Sequence, residues 1–163
     1  MKIRYIQATD DLNQISKIYV RSWQQAYQGI VPAAYLARLS EEGWAEWLAQ
    51  KEFPAYVLLD RENYVGTAAC GPARDKTMAG WGELISLYLL PEYSGKGWGK
   101  KLLNYVLKEL EAMGFADSYL WVLEENLSAC KFYEGQGFEY SGDTQQIIIA
   151  GKTLTELRYI RRQ

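Results

Sequence analysis

The sequence has no histidine and only two cysteines among its 163 residues. Without an imidazole, a Ser–His–Asp triad and the zinc sites that use histidine are excluded. Any proton acceptor must therefore be a carboxylate, a tyrosine, a lysine or a water molecule. Cys70 and Cys130 lie far apart, in no spacing typical of metal ligands. This predicts buried thiols, no disulfide and no metal site.

The chain also lacks a long apolar run and a strong excess of either charge. No stretch approaches the roughly 20 apolar residues that a membrane-spanning helix needs. The first residues, MKIRYIQATDD, lack the apolar centre of a signal peptide. The net charge of -2 argues against a broad electrostatic contact with nucleic acid. These absences predict a cytoplasmic protein that binds neither nucleic acid nor a membrane.

Composition and periodicity predict one globular domain over residues 1–163. Hydrophobic residues make up 48% and charged residues 23%, and no repeat or linker interrupts the chain. Apolar patterning predicts strands in KIRYIQ, AYVLLD, YVGTAAC, GELISLYLL and SYLWVL, and a terminal hairpin in TQQIIIAGKTLTELRYI. We expect an α/β (α+β) arrangement, a mixed sheet with helices on both faces.

Helical periodicity is expected in five segments between these strands. Asp10 or Asp11 could cap the first, and Pro32 begins the second. The third contains Trp44 and Trp47, and the fifth is NLSACKFYEGQG. The fourth is the most amphipathic, and its apolar stripe consists of Leu102, Leu103, Val106, Leu107, Leu110 and Met113, ahead of a stop at Gly114.

The stretch LLPEYSGKGWGKKLL places three glycines at alternate positions between a predicted strand and a predicted helix. Glycine costs backbone entropy, so Gly95, Gly97 and Gly99 indicate that bare backbone is needed here. The first N–H groups of a helix lack partners, and Lys96 and Lys100 add positive charge. We therefore predict a phosphate or pyrophosphate site, with a ligand-free turn as the alternative. Neither the P-loop pattern nor G-x-G-x-x-G fits this spacing.

Two segments resemble the GCN5-related N-acetyltransferases, a superfamily that depends on acetyl-coenzyme A. In ELISLYLLPEYSGKGWGKKLL, residues 94–99 are similar to the family signature Arg/Gln-x-x-Gly-x-Gly/Ala. In LWVLEENLSACKFYEGQGF, the second family motif is matched by Asn126, Ala129, Phe132, Tyr133, Gly137 and Phe138. The resemblance covers residues 83–138 and implies the family's acyl-CoA N-acyltransferase fold, with a central, mostly antiparallel mixed sheet. Ser94 departs from the usual Arg or Gln. Trp98 replaces a small aliphatic residue; we favour packing on the sheet over contact with the cofactor.

The resemblance implies acetyl-coenzyme A as the co-substrate, without a metal. The main chain of residues 87–89 would pair with the pantetheine arm like an added strand, where a bulge opens the sheet. Asn126 would bond a pantetheine amide, and residues 94–100 would hold the diphosphate. The full set of implied cofactor-binding residues is Leu87, Tyr88, Leu89, Ser94, Gly95, Lys96, Gly97, Trp98, Gly99, Lys100, Asn126, Ala129 and Tyr133.

The resemblance assigns the chemistry to Tyr133 and Glu83. Tyr133 would donate its hydroxyl proton to the leaving thiolate, and ordinary aromatic packing is the alternative. Glu83 would attract the amine acceptor and accept its proton, directly or through water, and an exposed charge at the strand end is the alternative. Glu124 and Asp117 are weaker candidates. Cys130 as a covalent nucleophile is disfavoured, because no basic partner is visible.

Aromatic residues in the first helices mark the expected acceptor end. In the similar family these helices wall the acceptor pocket, which implies contact of Trp23 and Tyr27 with the substrate. With Trp44 or Trp47 they could hold an ammonium by cation–π contact, although core packing is equally open. We expect a small-molecule primary amine as acceptor. The alternatives are a protein N-terminus or lysine and, in another class, a non-catalytic acyl-coenzyme A sensor. A homodimer is possible.

Overall fold

The computed structural model describes residues 1–50 and 52–163, which form a seven-stranded mixed sheet with five α-helices. The strands are β1 (Lys2–Tyr5), β2 (Ala55–Asp60), β3 (Asn63–Pro72), β4 (Gly82–Leu89), β5 (Ser118–Leu123), β6 (Glu139–Ile149) and β7 (Lys152–Arg161). The helices are α1 (Leu12–Ala26), α2 (Ala33–Ala37), α3 (Glu41–Ala49), α4 (Trp98–Ala112) and α5 (Leu127–Glu134). Every strand and helix that the sequence predicts is present, so the predicted fold class is confirmed.

The sheet runs in the order β1-β2-β3-β4-β5-β7-β6. All neighbouring strands are antiparallel except β4 and β5, which are parallel. This parallel pair is short, since only Gly82 with Ser118 and Glu83 with Tyr119 are in register. Beyond this point β4 and β5 continue without pairing with each other. A gap therefore opens in the middle of the sheet.

A β-bulge in β4 lies where this gap begins. Ala69 of β3 stands opposite Ser86, whereas the next residue, Cys70, stands opposite Leu84. Ile85 is therefore an extra residue on β4. A bulge of this kind bends its strand and increases the local twist. The bulge bends β4 away from β5 and so accounts for the opening that the family resemblance implies.

Helices cover both faces of the sheet, because successive strand residues point to opposite sides. Tyr56 of β2 packs in the core beneath α4 and α5, whereas its neighbour Val57 packs beneath α1 and α3. The α4 side of the core is built largely from the predicted apolar stripe: Leu102, Leu103, Val106, Leu107 and Leu110. A third, smaller cluster joins α2 to the ends of β5 and β7 through Leu36, Leu123 and Leu154.

Two details of the predicted elements need correction. Met113 was expected in the α4 stripe, but it is 39% exposed, because the helix ends at Ala112 and the chain turns at Gly114 with φ 97°. Strand β6 begins at Glu139, ahead of the predicted hairpin. A register irregularity between Tyr140 and Thr144 interrupts the alternation of side chains along this strand, so the sequence pattern did not predict its first residues.

Asp11 caps the first helix, which resolves the choice between Asp10 and Asp11. The Asp11 carboxylate accepts hydrogen bonds from the N–H groups of Asn13 and Gln14, at 3.0 and 3.2 Å. Asp10 instead forms a bidentate pair with Arg4, with both distances 2.7 Å. No helix within residues 1–50 and 52–163 has the length and apolar character needed to cross a membrane.

Candidate active site

The edge of β4 that faces the gap has no strand beside it after Glu83. On its other edge, Leu87 and Tyr88 stay paired to β3, opposite Ala68 and Thr67. Main-chain groups on the open edge are thus held rigid by the sheet and can pair with an extended ligand. The carbonyl of Leu89 already accepts a hydrogen bond from Ser22 Oγ at 2.6 Å, which uses one of its two lone pairs.

The glycine segment forms a turn with bare amides in front of α4. Gly95 and Gly97 have φ of 71° and 82°, the left-handed region that favours glycine, and Gly97 caps the helix without a side-chain bond. The N–H groups of residues 95–100 have no acceptor in the described part of the chain. A Cβ added at either glycine would meet open space. This is a fitting cradle for an anion.

Gly99 has a different reason for being small. It lies inside α4, where an added Cβ would stand 3.5 Å from Phe132 Cζ and 3.6 Å from Leu89 Cδ1. Gly99 therefore faces β4 and α5 and allows the start of α4 to sit close to both. The alternate glycine spacing thus combines two turn positions with one packing position.

The side chains of three lysines and Trp98 lie on or next to this turn. Ser94, Lys96 and Lys100 are exposed, and the Lys101 ammonium lies 4.2 Å from the centre of the Trp98 ring. Trp98 is half-buried and is absent from the three core clusters of the described residues. The favoured expectation that this ring packs on the sheet is therefore wrong, because cation–π contact with Lys101 holds it at the helix start.

We expect Gly97→Ala to weaken coenzyme A binding about tenfold, because a Cβ there enters the space that a phosphate must approach and strains the left-handed turn. Gly114→Ala is the matched control. Gly114 also has a positive φ, 97°, and open space around it, but it lies beyond the opposite end of α4. Calorimetric titration should show the loss in Gly97→Ala alone, while both variants lose similar thermal stability. Equal Kd values for the two variants would refute the cradle.

Helix α5 brings Asn126 and Tyr133 toward the gap. Asn126 caps α5, its Oδ1 accepting from the Ala129 N–H at 3.3 Å, and its Nδ2 has no acceptor among the residues described. The Tyr133 ring lies between Phe132 and Phe138, at centroid distances of 5.2 and 5.8 Å. Its hydroxyl makes no hydrogen bond to the described residues. Burial raises the pKa of Tyr133, so the hydroxyl keeps its proton at neutral pH.

Glu83 is not the exposed strand-end charge that the sequence left open. It is 2% exposed, and its Oε1 accepts from Arg74 Nη2 at 2.7 Å. Its Oε2 accepts from the Arg74 N–H, from Arg74 Nε and from the Tyr119 hydroxyl, at 2.9, 3.1 and 2.9 Å. Both oxygens are thus occupied by hydrogen-bond donors of the protein. This arrangement speaks against Glu83 as a proton acceptor. Glu124 is exposed, and Asp117 accepts from the Gln163 N–H.

Trp23 and Tyr27 belong to an aromatic cluster that we define as Tyr19, Trp23, Tyr27, Trp44 and Tyr88. The ring of Trp23 lies 4.8 Å from Tyr27 and 5.5 Å from Trp44, and its Nε1 donates to the Tyr88 hydroxyl at 3.1 Å. Tyr19 stacks on Trp44 at 5.7 Å and meets Tyr88 at 5.0 Å. The structure therefore connects the predicted acceptor residues of α1 to the strand that borders the gap.

A cavity of about 590 Å³ opens beside this cluster. Its lining residues are Tyr19, Tyr35, Arg38, Leu39, Ser40, Gly43, Trp44, Trp47, Ile85, Ser86 and Tyr88. Trp23 and Tyr27 are not among these lining residues, although Trp23 contacts Trp44 and Tyr88, which are. Sequence reasoning missed Tyr19 of α1 and Arg38, the one charged side chain among the described lining residues. The available signal for Arg38 was its position at the end of the second predicted helix, just before the helix that contains Trp44 and Trp47.

Cys130 is buried in the core, with Sγ 3.8 Å from the Leu123 carbonyl. Burial raises the pKa of its thiol. A buried thiol with a raised pKa is a poor nucleophile, which agrees with the expectation that Cys130 is not a covalent nucleophile.

The comparisons with known proteins place the chain in a family. The family model described as Acetyltransferase (GNAT) family matches residues 12–138. The N-acetyltransferase YuaI of Bacillus subtilis (strain 168), itself uncharacterized, is 32% identical over 150 residues, which cover 91% of this chain and 86% of that protein. The chain therefore belongs to the acetyltransferase (GNAT) family and is an acetyl-coenzyme A dependent N-acetyltransferase of that family.

Solved structures share the fold at lower identity. The PaiA N-acetyltransferase of Thermoplasma acidophilum, in complex with coenzyme A, has a TM-score of 0.78 and 21% identity, covering 100% of both chains. YncA of Salmonella typhimurium, solved with its cofactor acetyl-CoA, has a TM-score of 0.75 and 20% identity, covering 99% of this chain and 93% of that one. The whole described arrangement of strands and helices therefore corresponds to known N-acetyltransferase folds.

Proposed function

We propose that the protein transfers the acetyl group of acetyl-coenzyme A to the primary amine of a small molecule, by direct attack and with Tyr133 as the general acid. The observation that carries this proposal is the gap between β4 and β5. The bare amides of residues 95–100 follow β4, and Tyr133 on α5 packs against the same cluster as Leu87 and Leu89 of β4, with a hydroxyl that has no protein partner in the described chain.

Each part of the cofactor has a proposed partner in these elements. The amides of residues 95–100 would hold the diphosphate without the Arg or Gln that Ser94 replaces. The open edge of Leu87–Leu89 would pair with the pantetheine arm, and the Asn126 amide nitrogen could donate to a pantetheine carbonyl. Ala129 keeps the α5 face low between Asn126 and Tyr133, because the three lie on one side of the helix.

Tyr133 suits the last step of the transfer. A general acid must hold its proton until negative charge develops on the leaving sulfur. Burial raises the pKa of Tyr133, which keeps the hydroxyl protonated, and no described residue competes for that proton. The hydroxyl would donate to the sulfur as the C–S bond breaks.

The acceptor cavity favours a small molecule. A volume of about 590 Å³ is typical of small-ligand pockets. Aromatic rings could contact an ammonium, and Arg38 is exposed, without an ion-pair partner among the residues described. A positive charge on the wall repels lysine-rich tails and attracts a carboxylate. An amine that also carries an acid group therefore fits better than a basic peptide, the competing acceptor.

Arg38→Ala should raise KM about tenfold for an amino acid acceptor and change kcat little, because an ionic hydrogen bond to the carboxylate is lost. The corresponding amino acid amide should show no such loss. Lys108→Ala removes one exposed charge from α4 and serves as the control. Thiol release measured with both acceptors provides the readout. An equal change in KM for acid and amide would argue against a carboxylate at Arg38.

Two measurements test the proposed function. Titration calorimetry with coenzyme A and acetyl-coenzyme A should show binding. Thiol release should then accelerate with at least one member of a panel of amino acids, their amides, polyamines and lysine peptides. Binding without acceleration by any amine would support the sensor instead, and acceleration by peptides alone would support a protein acceptor. No binding of either cofactor form would overturn the proposal.

A further inference from the structure

The cavity beside the aromatic cluster has an exposed mouth and a more buried inner wall. Its mouth consists of exposed residues of α2, α3 and the turn between them, namely Tyr35, Arg38, Ser40 and Gly43. Its inner wall includes Tyr19 of α1, which is 2% exposed, and the partly buried Ile85 and Ser86 of β4. A ligand that enters the cavity therefore passes the charge of Arg38 first and reaches β4 last.

Ser86 lies on the strand that borders the gap. It follows the bulge residue Ile85 and is three residues beyond Glu83, the last residue of β4 that pairs with β5. Leu87, which packs on the α4 and α5 side of the sheet, comes directly after it, so Ser86 points to the α1 side. The inner end of the cavity therefore meets β4 where the gap opens and where the proposed pairing with the pantetheine arm begins.

The hydroxyls of Tyr19 and Ser86 meet on this inner wall. Their oxygens are 3.4 Å apart, well beyond the usual O–H···O distance of about 2.8 Å. Thr67 Oγ1 also lies near Tyr19, but it donates to the Tyr56 carbonyl at 3.0 Å and is not a lining residue. Because a hydroxyl has two acceptor lone pairs, the oxygens of Tyr19 and Ser86 can both accept a hydrogen bond from a ligand.

A primary amine matches this pair of hydroxyls. When its nitrogen lone pair attacks a thioester, two N–H groups remain that can donate hydrogen bonds. One nitrogen can lie about 2.9 Å from both oxygens, because the oxygens are only 3.4 Å apart. A secondary amine has a single N–H, so its additional carbon would face one of the hydroxyls and leave that hydroxyl without a partner.

We infer that the hydroxyls of Tyr19 and Ser86 accept hydrogen bonds from the two N–H groups of the acceptor amine and so select primary over secondary amines. This inference rests on the proposed function, because it requires an amine acceptor. It also orients the acceptor, whose amine enters first while an acid group stays at the mouth beside Arg38. The two hydroxyls position the nitrogen and take up no proton, so the steps of the transfer are unchanged.

Two acceptors test this selection. They are the primary amine of the panel that the wild-type protein acetylates fastest and the N-methyl derivative of that amine. The wild-type protein should prefer the primary amine about 100-fold in kcat/KM. Ser86→Ala and Tyr19→Phe should each lower kcat/KM about tenfold with the primary amine and little with the N-methyl derivative, so the preference should fall about tenfold. Tyr19→Phe keeps the ring that stacks on Trp44.

Ser118→Ala and Tyr56→Phe are the matched controls. Ser118 of β5 is buried, and its Oγ has no partner among the described residues. Tyr56 is 2% exposed, like Tyr19, but its hydroxyl donates to Glu109 of α4 at 3.3 Å, on the opposite face of the sheet. Both control variants should keep the wild-type preference for the primary amine.

Calorimetric titration of coenzyme A shows whether the four variants are folded, since none of them changes a proposed cofactor contact. Tyr19→Phe, which preserves the packing of α1, decides alone if Ser86→Ala does not bind coenzyme A. An unchanged preference in the variants, or a wild-type protein that acetylates both amines equally well, would overturn the inference. A wild-type protein that acetylates no amine would refute the proposed function, and the inference with it.

Discussion

Tyr133→Phe should lower kcat about 100-fold and leave the affinity for coenzyme A nearly unchanged. The variant keeps the ring and its contacts with Phe132 and Phe138, and it removes only the hydroxyl. A general acid acts when charge develops on the leaving group, so its loss should affect the transition state and not the bound ground state. KM for the amine should therefore also change little.

The measurement is steady-state thiol release combined with calorimetric titration of coenzyme A. Tyr105→Phe is the control, because Tyr105 is also half-buried but packs edge-to-face on Tyr56 of β2. It should retain the wild-type kcat. If Tyr133→Phe turned over at the wild-type rate, water would be the proton donor and the role of Tyr133 would be packing alone.

The local geometry of the proposed cofactor side could be predicted from the sequence because its determinants are adjacent residues. The α4 stripe repeats with helical period, and the glycines directly precede it, so a helix start with bare amides follows from adjacent residues. The same holds for Asn126, which caps the helix that carries Tyr133. Only the reason for Gly99 needed the tertiary structure, because its neighbours Leu89 and Phe132 come from other elements.

The acceptor side could be predicted only in part, because its contacts join distant segments. An aromatic residue on a buried helix face reads as core whether or not a cavity lies beside it. Tyr19 is such a residue, and only its position between Trp44 and Tyr88 shows that it borders the cavity.

Glu83 shows why a residue type at a family position does not fix its environment. Its partner Arg74 lies in the loop between β3 and β4, for which the sequence offered no periodic pattern. The pairing depends on how that loop folds back over the start of β4. Tyr119 reaches Glu83 through the short parallel pairing of β4 with β5, which is itself a tertiary feature.

Glu83→Gln should lower the melting temperature by about 6–12 °C, which corresponds to a loss of about 3 kcal/mol. The amide keeps the shape of the side chain but removes the charge that Arg74 and Tyr119 contact, while Arg74 remains half-exposed and can regain water. Because both carboxylate oxygens of Glu83 already accept hydrogen bonds from Arg74 and Tyr119, we do not expect Glu83 to accept the amine proton, and kcat measured well below the melting temperature should fall no more than about threefold.

Glu92→Gln separates this buried pair from a surface one. Glu92 forms a bidentate pair with Arg21 at 3.0 Å, but both side chains are about half exposed, so its loss should shift the melting temperature little. Thermal unfolding and thiol release on the two variants and the wild type complete the comparison. A different outcome would make Glu83 the base despite its partners. In that case Glu83→Gln would keep its melting temperature, lose about 100-fold in kcat, and lose the acidic limb of the pH profile of kcat.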